Sequence, residues 1–315
     1  MRIVYSLIIE AAQIAVVLAV APAFVGWVRM LKCRAQGRAS AGILQPYRDL
    51  RRLFYKDVVL AGNASWIFRS APYVAFGATV LAGAIIPVIS TDLPLGLTAD
   101  VIALVAVFAI ARFFTALAGM DIGTAFGGMG SSREMMVASL AEPAMLMSVF
   151  TISLVAGSTT LSEMVRVITS GQFVFRPSMA LALMAFVLIG IAETGRIPVD
   201  NPATHLELTM IHEAMVLEYS GRHLALIEWA GMIKLFLFAS LGVALFVPWG
   251  IGGPHEVFMV PVAVVSLAIK LGIVGVCLVL VETRLAKMRI FQVPEFLGVA
   301  FILATLGMLS FFMLE

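Results

Sequence analysis

The residues best able to do chemistry lie in one stretch, ETGRIPVDNPATHLELTMIHEAMVLEYSG, running from Glu193 to Gly221. It gathers Glu193, Arg196, Asp200, His205, Glu207, His212, Glu213 and Glu218 between two long apolar segments. A plain connecting loop has no need of so many carboxylates. Charge this close to a bilayer costs about 3 kcal/mol per group even on lenient insertion scales, so it is retained to move ions or to dock a partner. His205 and His212 are seven apart and share a helical face if this stretch is helical. With only Glu207 or Glu213 as further ligands they read as proton-exchanging or hydrogen-bonding groups, and no metal site is read from them.

A second polar set is ARFFTALAGMDIGTAFGGMGSSREMMVASLAEPA. Arg112 falls late in an apolar run, Asp121, Arg133 and Glu134 occupy the glycine-rich connection, and Glu142 lies about two turns into the next run. A carboxyl packed there can exchange protons. The plainer reading is that Glu142 pairs with Arg133 or Arg112 and holds helices together. Glu10, Glu228, Lys234 and Lys270 also sit inside apolar runs. One intramembrane lysine could snorkel, but several acids with two lysines point to a connected hydrated path. The relay candidates are therefore Glu142, Glu193, Asp200, Glu207, Glu213, Glu218, Glu228, Lys234 and Lys270, with Glu10 the weakest. Arg112, Asp121, Arg133, Glu134, Arg196, His205 and His212 are candidates to line a chamber or face a partner.

Other chemistries lack their residues. There is no phosphate-binding glycine loop, nucleophile elbow or cysteine cluster. Cys33 and Cys277 stand far apart and read as small buried apolar side chains. No catalytic residue, metal site or cofactor is assigned to this chain, and nothing points to nucleic acid.

The elements that must position these residues are membrane spans. Of 315 residues, 61% are hydrophobic and only 13% charged, about half the charged share of soluble domains. Apolar runs cut at proline, glycine or charge give eight spans near 3–28, 67–90, 97–118, 135–157, 178–195, 224–249, 257–281 and 294–314. The expectation is an all-α integral membrane protein forming one membrane domain over 1–315, without an internal repeat. The first span carries Glu10 and no small-residue cleavage site follows, so it reads as retained. The odd-numbered connections hold fourteen Lys and Arg against two in the even ones. That bias puts the odd connections in the cytoplasm and both termini outside. The acidic connection (193–222) then lies beside the basic first connection (29–66). Within the latter, Leu50, Leu53 and Phe54 recur at helical spacing opposite Arg48, Arg51 and Arg52. The pattern predicts a short amphipathic helix on the interface, either a lipid anchor or a docking surface using Gln45, Arg48, Asp49, Arg51 and Arg52.

The segments Gly42 to Asp57, Arg112 to Pro143 and Glu193 to Gly221 together resemble the eight-span membrane subunit shared by respiratory complex I and the energy-converting nickel-iron hydrogenases of the formate hydrogenlyase and hydrogenase-4 type. GSSR ending at Arg133 with Glu142 nine residues on resembles the complex I pattern, as do Glu193, Arg196, Pro198, Asp200, Glu207 and the closing Glu218-Tyr219-Ser220-Gly221. Complex I members tend to carry acids where Ala203 and His205 stand, and this chain is about three residues longer before Glu-Tyr-Ser-Gly, with Glu213 in the extra part. Phe113-Phe114, Leu117, Gly119, Asp121 and Arg133-Glu134 resemble the hydrogenase branch.

The resemblance implies a membrane anchor and proton- or ion-coupling subunit in the cytoplasmic (inner) membrane of a prokaryote. Its implied partners are a hydrogenase-like large subunit, an iron-sulfur subunit and antiporter-like membrane subunits. The nickel-iron centre and iron-sulfur clusters would belong to those partners. Complex I relatives form most of a quinone chamber, so the resemblance leaves quinone open as a ligand and a quinone-reducing complex as the alternative, beside a purely structural anchor.

Overall fold

The computed structural model describes residues 2–88, 90–91, 94–98, 100–169, 176–200, 210–250 and 260–314. His205 and Glu207 fall outside the described residues. The described chain is helical: α1 (Arg2–Ala35), α2 (Gln45–Phe54), α3 (Trp66–Ile85), α4 (Pro94–Thr98), α5 (Val101–Asp121), α6 (Ala125–Ala156), α7 (Leu161–Thr169), α8 (Pro177–Glu193), α9 (His212–Val216), α10 (Gly221–Phe246), α11 (Val260–Arg284) and α12 (Val293–Leu314). Among the described residues seven helices are long and apolar enough to cross a membrane, and α8 is an eighth apolar helix of 17 residues. At 1.5 Å per residue α8 is about 25 Å long, the short end of what spans a bilayer.

Local chemistry sets the boundaries. Ser65, Asp100 and Thr124 cap α3, α5 and α6 by accepting from Ile67 N, Ala103 N and Gly127 N at 3.1, 2.9 and 3.2 Å. Gly157 closes α6 at φ +69°, and Pro177 opens α8 where a missing N–H costs nothing. α10 is the central helix and the most enclosed, packing on α1, α2, α3 and α8; α12 closes the other side on α6 and α8, and α11 rides on the outside of α1. Cys277 lies exposed on α11, which corrects the expectation of a buried cysteine.

The largest departure from expectation is α6. The glycine-rich segment is helix from Ala125, ten residues before the expected start, so Arg133 and Glu134 are helical and not in a connection. Glycine lowers helix propensity, but here it permits close approach. A Cβ at Gly127 would collide with the Gly119 carbonyl oxygen of α5, and one at Gly130 would lie 2.9 Å from Ala214 Cβ of α9. Gly127→Ala is expected to destabilise the protein by about 1–3 kcal/mol, because backbone meets backbone and no side chain can yield. A lowered thermal midpoint of the detergent-solubilised protein checks this. Gly128→Ala, with nothing within 4 Å of the new methyl, should be neutral or slightly stabilising.

Candidate functional site: a charged cluster inside the bundle

Helix α8 stops early, and its last residue ends up deep among longer neighbours. Glu193 meets Lys234, thirteen residues into α10, which is about 20 Å from the start of that helix. Arg112, nine residues before the end of α5, meets Glu193 as well. Around these groups the structure builds a five-membered set from four helices. The Arg112 guanidinium pairs with Glu134 (Nε to Oε1, 3.3 Å), with Glu142 (Nη1 to Oε1, 3.1 Å) and with Glu193 through Nη2. Lys234 Nζ lies 2.9 Å from Glu193 Oε2. A planar fork with five donors suits Arg112 to three carboxylates, which an ammonium could not bridge in the same way.

Exposure grades across the set. The Glu193 side chain is 2% exposed and that of Arg112 5%, whereas Glu142 keeps 34%. Among the described residues three carboxylates face two cations, one negative charge in surplus when all are ionised. Glu142 is the member with most access to whatever covers that face.

The chain beyond Glu193 turns inward at Gly195 (φ +59°) and stays largely enclosed, with Val199 and Asp200 each 3% exposed. Irregular backbone within a membrane bundle is tolerated where protein or a water-filled cavity surrounds it. Here it is tied down residue by residue. Arg196 Nη1 lies 3.2 Å from Glu282 Oε1, and Lys32 Nζ from α1 lies 2.6 Å from Glu282 Oε2. Asp200 accepts from Ile211 N (3.3 Å) and His212 N (3.2 Å) and pairs with Lys287 Nζ at 3.5 Å. Pro198 O accepts from Met288 N at 2.9 Å. Burial pulls Arg196 below the usual arginine value, with the Glu282 carboxylate opposing and Arg29 adding to the effect. From α6, Arg133 Nη1 donates to Met210 O at 2.9 Å, fixing the far end of the connection. Glu213 on α9 is half-buried. Burial raises its carboxyl above the ordinary value, His212 and Arg29 oppose this, and Glu228 and Asp200 reinforce it.

The structure therefore brings Arg112, Glu134, Glu142, Glu193 and Lys234 into one cluster. It places Arg133, Arg196, Asp200, His212 and Glu213 in a second zone beside it. Glu228 on α10 is half-buried and its charge acts on Glu213, and Glu218 is exposed. Lys270 stands apart, donating to Val247 O at 2.6 Å and to Trp249 O at the end of α10, where a cation complements the helix dipole. Asp121 accepts from Ser65 N at 2.9 Å and joins α5 to the start of α3. Glu10 is buried on α1, toward the opposite ends of the helices, with one oxygen lacking a partner among the described residues. In α2, Gln45 donates to Asp49 at 2.8 Å and Arg48 reaches Ala41 O at 3.3 Å, while Arg51 and Arg52 are exposed. Leu50 is buried against the bundle, so the amphipathic reading of α2 holds.

Sequence reasoning passed over Glu282. Its side chain is 1% exposed and neutralises two cations. The available signal was a lone acid directly after an apolar run, in LVETR. The Glu-Tyr-Ser-Gly element also proves to be a structural knot. Tyr219 stacks on Phe68 at 3.9 Å and donates to Phe68 O at 2.8 Å, Ser220 Oγ accepts from Val59 N at 2.8 Å, and Gly221 (φ +53°) lies against the carbonyls of Lys56 and Asp57. Both connections are pinned together there.

This architecture is shared with known proteins. The family described as NADH dehydrogenase matches residues 9–313. Formate hydrogenlyase subunit 4 of Escherichia coli K12 is 32% identical over 311 residues, covering 98% of this chain and 99% of that protein. Hydrogenase-4 component C of the same organism is 32% identical over 303 residues, covering 96% and 95%. The H subunit of the NADH-quinone oxidoreductase of Phocaeicola vulgatus is 26% identical over 209 residues, covering 65% of this chain and 57% of that one. In fold, the chain superposes on a chain of the membrane-bound sulfane sulfur reductase, an archaeal respiratory membrane complex, with a TM-score of 0.85 at 19% identity over 97% of this chain and 99% of that one. The buried charges, the eight apolar helices and near full-length similarity lead to one conclusion: the chain belongs to the membrane-subunit family described as NADH dehydrogenase, which formate hydrogenlyase subunit 4, hydrogenase-4 component C and the NADH-quinone oxidoreductase H subunit share.

Proposed function

We propose that the chain is the membrane anchor and proton- or ion-coupling subunit of a multisubunit membrane-bound nickel-iron hydrogenase. The observation that carries the reading is the Arg112, Glu134, Glu142, Glu193 and Lys234 cluster, a buried charge set with one surplus carboxylate that joins four helices. Near full-length similarity to two hydrogenase-complex subunits, against partial coverage of the quinone-linked relative, favours the hydrogenase branch.

In this reading a hydrogenase-like large subunit and an iron-sulfur subunit, which hold the nickel-iron centre and the clusters, rest on α2 and the connection around α9. Antiporter-like subunits lie alongside in the bilayer. The Lys and Arg bias supports a cytoplasmic position for that face and external termini. Redox change above Asp200, Glu207, Glu213 and Glu218 alters their protonation, and Glu193, Glu142 and Glu228 pass the change on toward the antiporter-like partner.

The test is dye-linked hydrogen evolution and uptake by the intact complex, isolated from native membranes through a tag on this chain. Activity that co-purifies supports the proposal. A complex with an intact soluble arm that reduces quinone and handles no hydrogen overturns it in favour of a quinone-linked complex, the activity that the name of the more distant NADH-quinone oxidoreductase relative carries.

A further inference from the structure

Glu282 sits at the end of α11, far in sequence from the central cluster, yet it grips Arg196, three residues after that cluster's most buried acid. Arg196 is wound onto the last turn of α8. Its N–H donates to Ile191 O at 3.0 Å and the Gly195 N–H donates to Ala192 O at 3.1 Å, the double closure of a Schellman turn. Glu193, three residues earlier, is on that same turn and pairs with Arg112 and Lys234. Glu193 and Arg196 are thus two ends of one rigid piece, one held by α5 and α10, the other by Glu282. The carboxylate of Glu282 is nearly sealed from solvent and splits its oxygens between Arg196 and Lys32. The Pro198 to Met288 and Asp200 to Lys287 contacts carry the same grip along the next residues.

We propose that Glu282 is a positioning residue: through Arg196 it sets where the α8 terminus places Glu193 between Arg112 and Lys234, and so controls ion coupling without touching the cluster. The role of the cluster rests on the function proposed above. Lys32 shares the carboxylate but belongs to α1, so its loss leaves the Glu282 to Arg196 arm in place.

The test uses the intact complex reconstituted in vesicles, with Glu282→Gln, Arg196→Gln, the double variant and Lys32→Met. Ion movement per turnover is read with whichever acceptor the complex reduces, and backbone hydrogen–deuterium exchange is read over residues 194–200. Glu282→Gln is expected to raise exchange in that segment and to lower ion movement per turnover about fivefold, the low end of coupling between linked sites. The double variant should match Arg196→Gln alone, because both changes act through one contact, and Lys32→Met should keep coupling. Unchanged exchange, raised exchange with unchanged coupling, or additive losses in the double variant would each overturn the proposal. A complex without hydrogenase activity removes the hydrogenase reading, while both readouts still decide the role of Glu282.

Discussion

Arg112→Met is expected to be the most damaging single change in the protein, destabilising it by about 3–5 kcal/mol. Arg112 is 5% exposed and serves Glu134, Glu142 and Glu193 at once. Its removal leaves Glu193, 2% exposed, with Lys234 as the remaining cation in contact among the described residues. Breaking one partner out of a buried pair strands the other charge, and the loss is a large fraction of a typical stability of about 5–15 kcal/mol. The expected result is a lower thermal midpoint of the purified complex and less of the chain in membranes. Arg112→Lys should recover only part, since an ammonium lacks the fork that spans three carboxylates. Adding Glu193→Gln to Arg112→Met should also restore some stability by removing the stranded charge. A variant as stable as the native protein would show that the cluster does not hold α5, α6 and α8 together.

Glu142→Gln should do the opposite, sparing the fold and abolishing coupling. Glu142 is the most exposed of the three cluster carboxylates, and glutamine keeps its shape and an acceptor for Arg112 Nη1. Without its charge the set balances, Glu134 and Glu193 against Arg112 and Lys234, so assembly should be retained. What disappears is the surplus carboxylate on which the proposed relay depends. Ion movement per turnover should fall about tenfold or more, within the usual range of coupling between linked sites, with dye-linked turnover preserved. Unchanged ion movement in reconstituted vesicles would sink the relay.

The contrast between these two neighbours separates what was readable from what was not. Eight apolar runs, the short amphipathic α2 and the concentration of acids in 193–221 follow from composition and periodicity, because a bilayer demands helices of a given length and penalises every charge within them. Those constraints act residue by residue along the chain. The start of α6 was misplaced because glycine counts against a helix locally, whereas Gly127 and Gly130 are needed for contact with α5 and α9, partners that no window of sequence contains.

The same reason governs the site. The sequence by itself determined that acids and bases interrupt the apolar runs and crowd into 193–221. Only the tertiary structure decided that Arg112, 30 residues from Glu142 and 81 from Glu193, gathers both. It also decided that Lys270 instead closes the end of α10, and that Glu282 rather than a residue of the acidic connection holds Arg196. Helix packing sets those pairings, since a buried charge is stable only where another helix delivers its counter-charge, and which helices meet is a property of the whole bundle.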